Sequence, residues 1–188
     1  MTARGVGAGG RRARASLVAA AVAVLAACAG GADPVTLDGR PSMEEVLDRY
    51  EAMERDMVAA VEAELPGLAW QVEDDGVGQT RSGCVEDVTS DRAESLSLVG
   101  LWAPGTLDPA SWRASAEVVR GVGEQYGFDD VTTLVDRPDD LELVGQDAYG
   151  GQYRFGMAVN TILPVSTGCH EWGAVPGEEY ERPSPLGG

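Results

Sequence analysis

Lysine is absent from the 188 residues, so all 14 basic side chains are arginine, and they face 31 acidic ones for a formal charge of −17. That balance excludes a general nucleic-acid binder, which needs clustered cations to displace counterions from phosphates. Histidine occurs once, at His170, and no Gly-x-Ser-x-Gly elbow accompanies it, so a Ser–His–acid hydrolase lacks its usual sequence support. The three cysteines form no Cys-x-x-Cys pair, which removes the common zinc and dithiol motifs. No apolar run reaches the about 20 residues that carry a helix across a bilayer. There is no internal repeat. The 44% hydrophobic fraction excludes a wholly disordered acidic chain, and the length suits a single domain with or without a tail.

The first residues have the composition of an export signal. Arg4, Arg11, Arg12 and Arg14 occur without any acid and lead into the apolar run 17–25. The run ends in Leu25-Ala26-Ala27-Cys28, which resembles the lipobox of bacterial lipoproteins at all four positions. The resemblance implies cleavage before Cys28, a diacylglyceryl thioether on its sulfur, and often acylation of the new amino terminus. An ordinary secreted protein with a chance cysteine near its cleavage site is the alternative. Two or three acyl chains hold a protein stably in a membrane, because each buried CH₂ contributes about 0.8 kcal/mol. Arg11-Arg12 suggests a twin-arginine signal, but Arg14 stands where an apolar residue is expected, which favours general secretion. Gly5-Val-Gly7-Ala-Gly9-Gly10 has no strand before it and leaves with the signal, so it is no dinucleotide loop. After cleavage 10 arginines face 31 acids, for a side-chain charge of −21.

With Cys28 assigned to lipid, Cys84 and Cys169 remain as a pair in an oxidising compartment, where a disulfide is the default. A metal site of Cys84, Cys169 and His170 is the weaker alternative, because neighbouring side chains rarely converge on one ion. A reactive thiol would leave the other cysteine unexplained. Acidic turns at Glu73-Asp74-Asp75-Gly76 and Arg137-Pro138-Asp139-Asp140 offer oxygen ligands for calcium, yet neither has EF-hand spacing, and solvated turn acids explain them better.

Four segments are expected: a signal peptide over 1–27, a lipidated cysteine and flexible tether over 28–41, an α+β domain over 42–175, and a mobile Pro-rich acidic tail over 176–188. Ser42 and Glu45 form a capping box. The stripe Met43, Val46, Leu47, Tyr50, Met53, Met57, Val58, Val61 and Leu65 predicts a helix that Pro66-Gly67 stops. On its outer face Glu45–Arg49 and Glu51–Arg55 are expected i,i+4 pairs. Strands are expected near 68–72 and 94–102, and Asp108-Pro109 opens a second helix with Trp112, Val119, Val122 and Tyr126 inward and Gly127 as its cap. Three more strands follow near 131–135, 141–145 and 152–163, the last presenting Tyr153, Phe155, Met157, Val159, Thr161 and Leu163 on one face. The expected fold is two helices packed on one face of a mostly antiparallel sheet of about five strands.

Several segments resemble one family in their order: Leu65-Pro-Gly-Leu-Ala-Trp70 before the acidic turn, Arg81-Ser-Gly-Cys84, Gln125-Tyr126-Gly127, and Asn160-Thr-Ile-Leu163 running into Thr167-Gly168-Cys169. Over about 41–172 the chain is similar to the LppA-type lipoproteins of mycobacteria and related actinobacteria. The resemblance implies an envelope lipoprotein with an α+β domain and a disulfide between Cys84 and Cys169, and it carries over no catalytic residue. Ser82, Ser166 and His170 are therefore not assigned to catalysis, and no cofactor or metal site is expected. The expected role is a non-catalytic interaction module, lipid-anchored on the extracytoplasmic side of the cell membrane, with a cationic envelope protein or a cell-wall component as partner. A hydrolase or carrier for lipid or cell-wall material, with a site on the open sheet face or between the helices, is the alternative.

Overall fold

The computed structural model describes residues 37–72, 80–84, 90, 92–173 and 186, all within the compact unit Pro34–Gly188. Cys28, the turn at 73–76 and nearly all of the expected tail lie outside the described residues.

Helix α1 runs over Met43–Glu64 and begins with the expected capping box: Glu45 N–H donates to Ser42 Oγ, and Ser42 N–H to the Glu45 carboxylate. Every member of the expected apolar stripe from Met43 to Val61 is buried. Two of the expected outer-face residues take other partners and a third is buried. Glu45 is occupied by the cap, Arg49 reaches Asp147 instead, and Glu51 is buried.

Helix α2, Pro109–Gln125, starts where Asp108 Oδ1 accepts the N–H groups of Ala110 and Ser111. It ends at Gly127, whose φ of +86° is the left-handed conformation that a glycine adopts without strain. The Tyr126 hydroxyl donates to Asp56 at 2.6 Å and ties the two helices together. Gly123 lets α2 approach the sheet closely, since a Cβ there would lie 2.6 Å from the Tyr153 ring.

Among the described residues ten strands form one antiparallel sheet, where about five were expected: β1 Gln71–Val72, β2 Thr80–Gly83, β3 Ala93–Ser97, β4 Leu101–Pro104, β5 Asp130–Arg137, β6 Asp140–Gln146, β7 Gln152–Met157, β8 Asn160–Leu163, β9 Val165–Ser166 and β10 His170–Glu171. Much of the difference comes from breaks inside segments that read as continuous. Leu96 and Leu98 face the core on even positions, whereas Leu101 and Ala103 do so on odd ones. That change of parity requires an irregularity, and the chain breaks between β3 and β4. Pro164 has no N–H for a ladder and separates β8 from β9.

The expected long strand 152–163 is a hairpin. Met157 pairs with Thr161 and Gly156 with Ile162, while Val159 sits in the turn, 81% exposed. Partners across the turn have the same parity, so Tyr153, Phe155, Met157, Thr161 and Leu163 still share the buried face. Both helices pack into the core of that face. Trp112 of α2 stacks on Phe155, and Tyr50 of α1 meets Phe128, which in turn meets Tyr153.

Candidate functional site

Cys84 and Cys169 are joined in a disulfide with a Cα–Cα distance of 5.7 Å, within the ordinary range. Its place follows from β3. Glu94 lies opposite Gly83 of β2 on one side and His170 of β10 on the other, so the bond links the two neighbours of one strand. Both sulfurs are consumed, and the Cys–Cys–His metal alternative falls with them. Glu94 itself accepts hydrogen bonds from the Trp172 indole at 2.9 Å and Arg81 Nε at 2.8 Å. Partial burial opposes its charge, but those bonds and the arginine charge outweigh burial and hold its pKa below the ordinary value.

His170 is completely buried, which excludes a surface role. Its Nδ1 lies 3.0 Å from the Pro41 carbonyl, so that nitrogen carries the proton and donates. Nε2 has no hydrogen-bond partner among the described residues, and the ring meets Tyr149 edge-on. Burial lowers the pKa of His170. Ser82 and Ser166 lie in β2 and β9.

Beside His170 is a polar cluster that sequence reasoning missed. Asp147 is 8% exposed and closes the β6–β7 turn, with its Oδ1 accepting the N–H groups of Tyr149 and Gly151 at 2.8 Å each. Its Oδ2 accepts the Tyr50 hydroxyl at 2.5 Å and Arg49 at 3.3 Å. Burial, together with the adjacent Asp147, pushes the Tyr50 phenol far above its ordinary pKa and keeps it a donor. Arg40 donates to the carbonyls of Tyr149 and Cys169 at 3.1 and 3.0 Å. Gly151 is required by contact, because a Cβ there would run into the Tyr50 hydroxyl. The cluster thus clasps the start of α1, the β6–β7 turn and the disulfide end of the sheet. Its available sequence signals were Tyr50, the one hydroxyl in the apolar stripe, and Asp147, placed before a Gly-Gly turn.

The sites expected for a ligand were the open sheet face and the space between the helices. A groove of about 540 Å³ lies elsewhere, between the second half of α1 and the segment leading into β1. Arg55, Val58, Glu62, Leu68, Trp70 and Leu186 are among its walls. Among the described residues no group of three or more His, Cys, Asp or Glu is placed to hold a metal ion, and Asp140 of the second acidic turn is engaged by Arg137.

The structure resembles two crystal structures. LppA from Mycobacterium tuberculosis matches with a TM-score of 0.60 and 20% identity, over 72% of this chain and 82% of that one. A DUF4853 family protein from Actinomyces odontolyticus matches with a TM-score of 0.57 and 19% identity, over 80% of this chain and 81% of that one. At these identities the likeness shows a shared fold. No curated protein gives a significant match to the chain. Residues 33–171 match the family model described as LppA, a lipoprotein confined to pathogenic Mycobacterium. Family membership implies association with the cell envelope, and among the described residues no helix is long and apolar enough to cross a membrane. The chain belongs to the LppA lipoprotein family.

Proposed function

We propose that the chain is an envelope lipoprotein, lipid-anchored through Cys28 on the extracytoplasmic side of the membrane, whose domain is a non-catalytic interaction module. The observation that carries the anchor is the Leu25-Ala26-Ala27-Cys28 sequence at the end of a basic and then apolar leader, in a chain whose family is one of lipoproteins. Residues 29–39 serve as the tether, Arg40 and Pro41 being held to the domain by their bonds to Tyr149, Cys169 and His170, and the domain that follows carries the interaction. The disulfide suits an oxidising compartment.

Structural work by the buried polar groups supports the non-catalytic role. His170, Tyr50 and Asp147 hold α1 to the β6–β7 turn and to β10, deep in the fold. The chain's acidity favours a cationic envelope protein or a basic cell-wall component as partner. A carrier for lipid or cell-wall material is the second reading, favoured by the groove beside Trp70, which has the size of a small-molecule site.

Fractionation of cells producing the wild-type chain and Cys28→Ala tests the anchor. The wild type is expected in the membrane fraction with incorporated labelled fatty acid, and the variant in the soluble fraction without label. A variant that stays in the membrane, beside a wild type that takes up no label, contradicts the proposal.

A further inference from the structure

Strand β5 ends the sheet. It pairs with β6, and no strand among the described residues covers its other edge. Six of its eight residues are exposed, Leu134 by 57%. Natural proteins blunt such edges with Lys, Pro, inward charges or β-bulges. The middle of this one, Thr132-Thr133-Leu134-Val135, has no Lys, Pro or charge and consists mainly of strong strand formers, interrupted by one bulge and followed by the core-side Asp136.

The register of β5 has an unusual property. Thr133 lies opposite Leu143, whereas Val135 lies opposite Glu142, so Leu134 is the extra residue of a bulge. The bulge changes which residues share a face. Asp130, Thr132, Val135 and Arg137 lie opposite Gln146, Val144, Glu142 and Asp140 on the face turned away from the core. Val131, Thr133 and Asp136 lie opposite Gly145, Leu143 and Leu141 on the core face. In an unbulged strand Asp130 and Arg137 would point to opposite faces, because the side-chain period is two.

A second copy can be set antiparallel to this edge about a two-fold axis normal to the sheet, passing between Thr133 and Leu134. Such an axis keeps every residue on its own face, so facing residues must already share one. They do: Asp130 meets Arg137 of the second copy, Thr132 meets Val135, and Val131 meets Asp136. Opposite charges then close both ends of the pairing, with Arg137 placed between Asp140 of its own chain and Asp130 of the second copy, the β-branched Thr132 and Val135 meet inside them, and the two exposed Leu134 residues flank the axis. We infer that β5 is a self-complementary edge through which two copies of the chain pair into one continuous antiparallel sheet. One strand pair buries less than the about 1,200 Å² of stable interfaces, so the association is weak and rises with concentration.

Sedimentation of the purified full chain over a concentration series at physiological salt tests this. A reversible monomer–dimer equilibrium is expected. Asp130→Arg and Arg137→Asp should each weaken it about tenfold or more by placing like charges face to face, and the double swap should restore it. Oxidation of a Thr132→Cys, Val135→Cys chain should give a covalent dimer, whereas Thr132→Cys with Asp136→Cys, whose side chains point to opposite faces, should not. A chain monomeric at every concentration overturns the inference, as do single and double charge variants that behave alike or two cysteine pairs that crosslink equally.

Discussion

Tyr50 and Asp147 are 97 positions apart, and their hydrogen bond is the centre of the clasp. Tyr50→Phe keeps the ring and removes the donor, leaving a buried carboxylate oxygen with Arg49 alone. A loss of about 1–3 kcal/mol in urea unfolding is expected. An unchanged midpoint would show that the hydroxyl carries no stability. His170 makes a second residue-level prediction. Its pKa is lowered in the fold from the ordinary 6.5, so below that value the unfolded chain binds the proton first. The contribution of His170 is therefore complete above about pH 6.5 and declines as pH falls through the depressed folded value. His170→Gln should flatten the pH dependence of unfolding between about pH 7 and 5 relative to wild type, and parallel curves would contradict this. The sequence leaves His170 unassigned to catalysis and carries no local signal for the roles of Asp147 or Arg40. Their partners come from distant segments, and neither residue belongs to a periodic pattern.

At the scale of elements, the helices were legible because their signals are local. The Ser42–Glu45 box, Asp108-Pro109 and Gly127 act within one turn of the backbone, and the structure has them as expected. Asp108→Ala should lower the midpoint of thermal or urea unfolding by freeing the N–H groups of Ala110 and Ser111, and an unchanged midpoint would contradict this. The strands were less legible, since alternation reports the buried face and not the direction of the chain. A tight turn that preserves parity let β7 and β8 pass for one strand. The break between β3 and β4 was visible in principle, as the shift of buried leucines from even to odd positions. Two-residue strands such as β9 and β10 are too short to show any period.

At the scale of the molecule, the disulfide is the longest-range covalent constraint in the described domain, tying positions 85 residues apart. Replacing both Cys84 and Cys169 by Ser should lower stability by up to about 4–5 kcal/mol, the value a chain-entropy model assigns to a loop of that length. A melting temperature within a degree or so of wild type would mean that the clasp around Asp147 and His170 holds this end alone. The acidity of the chain also belongs to this scale. With the leader removed as proposed, a side-chain charge of −21 would be repelled by anionic headgroups, so the proposed attachment would come from lipid and not from surface charge. The proposed attachment therefore rests on Cys28. Mass spectrometry of the amino-terminal peptide of the mature protein is predicted to show a chain beginning at Cys28 with a diacylglyceryl group on its sulfur. A mature chain that begins elsewhere, or that carries Cys28 unmodified, would contradict it.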